Sequence, residues 1–172
     1  GLGLSALGTA IIISHLLPLL AALGVASAAA VLTASLIGPS QVAGRVAMTV
    51  FAPRGEARQL LLLSILGTGI AAAVLLATGL VESRIYLFAL LHGMSFGLVS
   101  ILRPVVIRET LGSIGFGAVQ GAVIRPSLLA FAAAPYIGAL VADAAGYLAV
   151  LGVCIAAQIC GAILIARVRP TL

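Results

Sequence analysis

The sequence predicts an all-α polytopic membrane protein with six transmembrane helices arranged as a 3+3 inverted repeat. Hydrophobic residues make up 63% of the chain and charged residues only 8%, against about 25% charged residues in an ordinary soluble domain. Nine arginines, four acids and no lysine cannot cover the surface of a soluble protein of 172 residues. A helix needs about 20 apolar residues to cross a bilayer, so this length fits about six spans with short loops.

Charged and turn residues mark the ends of the first three spans. We expect the first at about 1–23 and the second at about 27–51, because the chain carries no charge before Arg45 and is broken at Gly24. The third, at about 59–81, is uncharged and follows a polar loop at 53–58.

The last three spans are marked in the same way. The fourth is expected at about 85–107, between Arg84 and Arg108. The fifth is expected at about 116–141 and ends near Gly146, and the sixth, at about 147–166, stops at Arg167.

The loop arginines predict the orientation of these spans. Loops after the even-numbered spans carry five arginines, namely Arg54, Arg58, Arg108, Arg167 and Arg169, whereas loops after the odd-numbered spans carry only Arg84. Because cytoplasmic loops of membrane proteins are enriched in arginine and lysine, we expect both termini in the cytoplasm. The expected location is the cell (inner or plasma) membrane.

Polar residues within the spans repeat with a period of three. Spans three and six are almost purely apolar, whereas spans one, two, four and five contain His15, Gln41, Arg45, His92, Arg103, Gln120 and Arg125. Ionisable groups inside a membrane normally face a bundle interior or a watery cavity. The third span of each triplet is therefore expected to face lipid, as an inverted repeat of three helices predicts.

Several motifs carry a resemblance to a known transporter family. The second span contains Gly38-Pro39-Ser40-Gln41-Val42-Ala43-Gly44-Arg45 and is followed by Arg54-Gly55. A glycine-rich stretch covers 112–121, and Ala134-Pro135, Gly138, Asp143 and Gly146-Tyr147 follow. Over its whole length the chain resembles the C-terminal half, helices seven to twelve, of a major facilitator superfamily transporter.

The resemblance implies a function and a missing partner. It implies that residues 1–172 form a six-helix half that works with an N-terminal six-helix half, and that the transporter carries a small solute by alternating access with proton or other ion coupling. The chain begins in apolar sequence without Met, so a fragment is expected. In this family the first helix of each triplet lines the central cavity, and the second helps to form the interface with the other half.

Two histidines occupy the first span of each triplet. Counting 1.5 Å per residue, His15 and His92 are both about 11–12 Å below the outer surface. Their shared depth suggests contact with substrate or handling of protons. The alternative is that each only hydrogen-bonds to a neighbouring helix.

Two intramembrane arginines are further candidates for contact with the substrate or coupling ion. Arg103 shares a helix face with His92, with Ser95 and Ser100 on either side, but it is near enough to the interface to extend into it. Arg125 is predicted to be some 12 Å deep. The acids of this chain all fall at membrane edges, so its partner is an anionic substrate, backbone carbonyls or an acid of the missing half.

Other polar residues are candidates for gating or for contact between halves. Gln41 and Arg45 are four residues apart on one helix face, next to a kink expected at Pro39. Gln120 belongs to the glycine-rich stretch and is grouped with them. Because the intramembrane groups are basic or neutral, we expect a polar or anionic solute.

Other classes of function find less support. The sequence has no Ser-His-acid set in register, no metal-ligand spacing and no phosphate loop, so neither an enzyme nor a cofactor is expected. The scattered arginines do not predict nucleic-acid binding. The main alternative is a membrane scaffold or subunit that does not transport and whose polar residues serve packing only.

Overall fold

Helices account for nearly all of the chain that the computed structural model describes, which is residues 1–51, 57–77 and 82–168. They are α1 (Leu2–Ala22), α2 (Ser27–Phe51), α3 (Ala57–Leu76), α4 (Glu82–Leu111) and α5 (Phe116–Ala166). The predicted bounds of the first, second and fourth spans agree with α1, α2 and α4 to within a few residues. The end predicted for the third span, and most of the polar loop before it, are outside the described residues.

The helices identify an integral membrane protein. Four of them, α1, α3, α4 and α5, are long and apolar enough to cross a membrane. In α2 the apolar run is interrupted by Gln41 and Arg45. Many large apolar side chains are exposed, among them Leu63 at 64% and Leu129 at 71%. Such a surface suits lipid rather than water, and the predicted all-α membrane class is confirmed.

Helix α5 folds back on itself at Gly146. Its 51 residues would extend about 76 Å as a straight helix. Gly146, at φ 78° and ψ 172°, is non-helical and separates segment 116–145 from segment 147–166. Pro126 approaches Gly3 of α1, and Gly161 approaches Gly1. Both segments of α5 therefore pack against the start of α1, and the chain reverses where the sequence predicted the fifth span to end.

Two apolar clusters form the core. The larger joins α1, α2, α3, α4 and both segments of α5, and its most deeply buried members include Ile11, Leu19, Leu75, Phe88 and Leu151. The smaller is formed by Leu61, Ile65, Leu102, Ala162 and Ile165. Segment 116–145 has only three fully buried residues, Ser127, Ala134 and Gly138, and is the most open part of the bundle.

Helix α3, the third span, exposes large apolar side chains such as Leu63 and Ile70, but it also has a buried face. Helix α3 packs against both α4 and α5, and as large a share of it is buried as of α5. Ser64 and Thr68 are buried, each donating a hydrogen bond to a carbonyl of the preceding turn. Because these hydroxyls are satisfied within their own helix, they can turn inward without a polar partner on another helix.

Candidate functional site

The side chain of His15 packs against segment 116–145 at Gly138. Its Nε2 is 2.9 Å from the carbonyl oxygen of Pro135, and the glycine at 138 leaves room for the ring. The ring centroid of Tyr147 is 6.1 Å away. Since a carbonyl only accepts, Nε2 donates, and in the neutral imidazole Nδ1 is left as an acceptor. The side chain is only half-buried.

His92 has a very different environment, although the sequence predicted an equivalent role. It has no exposed surface, and its ring is stacked between Phe88 at 5.3 Å and Phe96 at 6.4 Å. Within the described part of the chain neither ring nitrogen has a hydrogen-bond partner. The structure therefore does not present the two histidines as a matched accessible pair.

Arg45 joins α2 to α4. Its guanidinium donates to the Ser100 hydroxyl at 3.1 Å and to the Gly97 carbonyl at 3.4 Å. The helices approach closely here, because a Cβ placed at Gly97 would be 2.5 Å from the Gln41 carbonyl oxygen. The predicted face of Gln41 and Arg45 is thus turned toward α4. Ser100, expected to flank a polar stripe, is part of this contact.

Arg103 lines a cavity of about 270 Å³ where the ends of several helices meet. The walls come from the starts of α1 and α3, the last turns of α4, and both segments of α5. Arg58 is the second charged residue of this wall. The side chain of Arg58 donates to the carbonyls of Ile165 and Ala166, which end α5.

Arg125 and Gln120 lie on the open segment of α5. Arg125 is exposed and Gln120 half-buried. In the described ranges neither side chain has a hydrogen bond or an ion pair. Within these ranges, therefore, no carboxylate pairs with Arg125.

A polar contact that the sequence analysis did not assign holds α1 to segment 147–166. Gln158 is completely buried; its Oε1 accepts from the Ser5 hydroxyl at 2.7 Å. Its Nε2 donates to the Ser5 carbonyl and to Thr9 Oγ1, each at 3.1 Å. Ser5 and Thr9 are four residues apart, on one helix face, which is the signal the sequence offered.

These sites differ in what they can do. The groups at His15, Arg103 and Arg125 are at least partly accessible, whereas those at His92 and Gln158 are sealed. The accessible set is basic or neutral, so it is suited to hydrogen bonding or to pairing with an anion. The chain matches no protein-family model, no curated protein and no solved structure.

Proposed function

We propose that this chain is the six-helix C-terminal half of a secondary transporter of the major facilitator type. The transporter moves a small polar or anionic solute by alternating access, coupled to protons or another ion. The observation that carries the proposal is the helix pairing, which has the same pattern in both halves of the chain.

We compare the first three helices with the last three by taking α1 as the counterpart of α4, α2 as that of segment 116–145, and α3 as that of segment 147–166. Each contact between two helices then has a counterpart between the two corresponding helices. α1 meets 116–145 at His15 and Gly138, as α4 meets α2 at Gly97 and Gln41. α1 also packs on 147–166 through the Gln158 amide. In the corresponding place, α4 packs on α3. α3 and 147–166 pack on each other, with Gly69 against the side chain of Gln158, and we take this pairing as support for the proposed 3+3 inverted repeat.

The distribution of arginines supports the orientation that the proposal needs. Arg58 and Arg103 line the cavity at which α1 begins, and both segments of α5 line the same cavity. Arg84, at the start of α4, donates to the carbonyl of Ala77 just past the end of α3. The positive-inside rule then favours the arginine-rich end as the cytoplasmic one.

The proposed roles follow from accessibility. Arg125 and the Nδ1 of His15 are groups for the solute or for the missing half, and Arg45 and Gln41 belong to a contact between helices that rocking changes. We assign Gln120 the same role as Arg45 and Gln41. His92 is a coupling candidate only if the bundle opens around it.

A non-transporting scaffold is the second candidate. It is favoured by two contacts, because His15 and Arg45 each hydrogen-bond to a neighbouring helix. It leaves Arg125 unexplained, because this exposed residue has no ion pair within the described ranges and an unpaired charge in a membrane costs at least about 2.5 kcal/mol.

Single cysteines test the six-span arrangement. In a chain in which Cys154→Ala and Cys160→Ser remove the native thiols, Ser113→Cys and Ala144→Cys place one thiol at each end of segment 116–145. A membrane-impermeant maleimide should label position 144 from outside intact cells and position 113 only after the membrane is opened. Labelling of both from one side would mean that this segment does not cross.

Transport is tested in proteoliposomes containing the longest natural protein that includes this chain. Uptake of labelled mono- and dicarboxylates and inorganic phosphate is compared for wild type, His15→Ala and Arg125→Gln, with Arg84→Gln, at the start of α4, as the control. Loss of uptake in the first two variants at unchanged membrane amount supports transport. Uptake by residues 1–172 alone would contradict the half-transporter proposal, and full uptake by both variants would remove their proposed role.

A further inference from the structure

The cavity between Arg58 and Arg103 has two cationic residues and no acid in its wall. The other lining residues are mostly apolar, among them Leu61, Val106, Pro126 and Ile165. At about 270 Å³ it is close to the lower limit of about 300 Å³ for ligand pockets. A cavity of this composition is suited to a group with an anionic end and an apolar end.

The charges of the two arginines are not neutralised by the described residues. Arg103 is half-buried and forms neither a hydrogen bond nor an ion pair with them. A terminal guanidinium nitrogen of Arg58 donates hydrogen bonds to the carbonyls that end α5. The buried Nε of Arg58 has no hydrogen-bond partner among these residues. A buried cationic donor without a partner is costly, so an anion close to both side chains would stabilise this end of the bundle.

We propose that this cavity binds the headgroup of an anionic phospholipid. The phosphate accepts hydrogen bonds from the Arg103 guanidinium and is attracted by the charge of Arg58, and the start of an acyl chain follows the apolar wall. Arginine suits this role because its planar fork matches phosphate oxygens. The starts of α1 and α3, the last turns of α4 and both segments of α5 line this cavity, and the ends of membrane-spanning helices are where headgroups are expected. The proposal does not depend on transport activity.

Arg103 is the residue to change, because Arg58 also caps α5. Arg103→Gln removes the charge but keeps a polar side chain, and Arg108→Gln removes the same charge from the exposed end of the same helix, outside this cavity. Val106→Phe narrows the cavity without changing charge. Circular dichroism at 222 nm checks that each variant is folded.

Native mass spectrometry of the full chain, released from neutral detergent, counts bound lipids directly. We expect one phosphatidylglycerol to bind, and phosphatidylcholine with the same acyl chains to bind at least about tenfold more weakly. A lost charge-assisted hydrogen bond predicts that Arg103→Gln weakens phosphatidylglycerol binding about tenfold or more. Val106→Phe should weaken it as well, and Arg108→Gln should leave it unchanged.

Three results would overturn the proposal. Equal weakening by Arg103→Gln and Arg108→Gln would indicate general attraction to a basic surface. Undiminished binding in both Arg103→Gln and Val106→Phe would place the lipid elsewhere. Inorganic phosphate that binds as a retained adduct and displaces phosphatidylglycerol at equal concentration would identify a soluble anion, rather than a lipid, as the occupant.

Discussion

Gly138 lies directly against the imidazole of His15, so that a Cβ at this position would be 2.5 Å from both Cδ2 and Nε2 of the ring. The same Nε2 is 2.9 Å from the carbonyl oxygen of Pro135, one turn earlier on α5. The ring therefore fills the space that the missing side chain leaves. This contact holds the most open segment of the bundle to α1, and it fixes the direction in which His15 points.

Gly138→Ala should destabilise the protein by about 1–3 kcal/mol, because an extra methyl group overpacks a close contact. Unfolding by SDS in mixed micelles measures the change. Gly152→Ala is the matched control, since a Cβ there meets nothing within 4 Å and alanine favours a helix. If the clash with the ring is the cause, adding His15→Ala to Gly138→Ala recovers part of the loss. Additive losses in the double variant would contradict this explanation.

Gln158→Leu should lower the free energy of unfolding by about 1–2 kcal/mol. The change keeps the apolar volume but leaves the Ser5 hydroxyl and Thr9 Oγ1 without their buried amide partner, and hydrogen bonds between membrane helices contribute up to about 1.7 kcal/mol. Gln120→Leu is the control, because no hydrogen bond of that side chain occurs within the described residues. The same SDS titration compares the two. A loss of equal size in both variants would mean that the Gln158 contacts are not what is being measured.

His92→Phe separates packing from function. The ring is already stacked on Phe88 and Phe96, and two buried nitrogens without partners in the described ranges are removed. Since an unsatisfied buried polar group costs about 1–3 kcal/mol, stability in the SDS titration should stay equal or rise. If His92 also handles protons, uptake by the natural protein falls while stability does not. A clear loss of stability would show that His92 has a partner in the folded protein.

The sequence predicted the helices well because their signals are local. Apolar runs, flanking arginines and glycines such as Gly24 and Gly146 require no knowledge of neighbours, and the predicted reversal near Gly146 is present. The all-α class and the helix ends can therefore be predicted from the local composition of the chain.

The surroundings of each polar side chain depend on which other helix packs against it. These surroundings were not predictable from the sequence. Helical periodicity places His92 and Arg103 on one face, but it does not reveal that one is sealed between aromatic rings while the other opens into a cavity. Span six was expected to be apolar and lipid-facing, yet its Gln158 is completely buried and forms hydrogen bonds to Ser5 and Thr9. Two residues of α1 are enough to satisfy this one buried amide. Hydropathy averaged over a span does not detect so small a group of polar residues.

Gly146→Ala should disturb the reversal of α5. At φ 78° and ψ 172° the backbone is in a region essentially restricted to glycine, and a side chain there costs about 1–3 kcal/mol. No neighbour lies within 4 Å of the added Cβ, so the penalty is one of backbone conformation and not of packing. Thermal unfolding followed at 222 nm should show a lower midpoint. Gly121→Ala, in an open helical position of the same element, should leave the midpoint equal or higher. A midpoint unchanged by Gly146→Ala would mean that the chain reverses through a conformation other than the one described here.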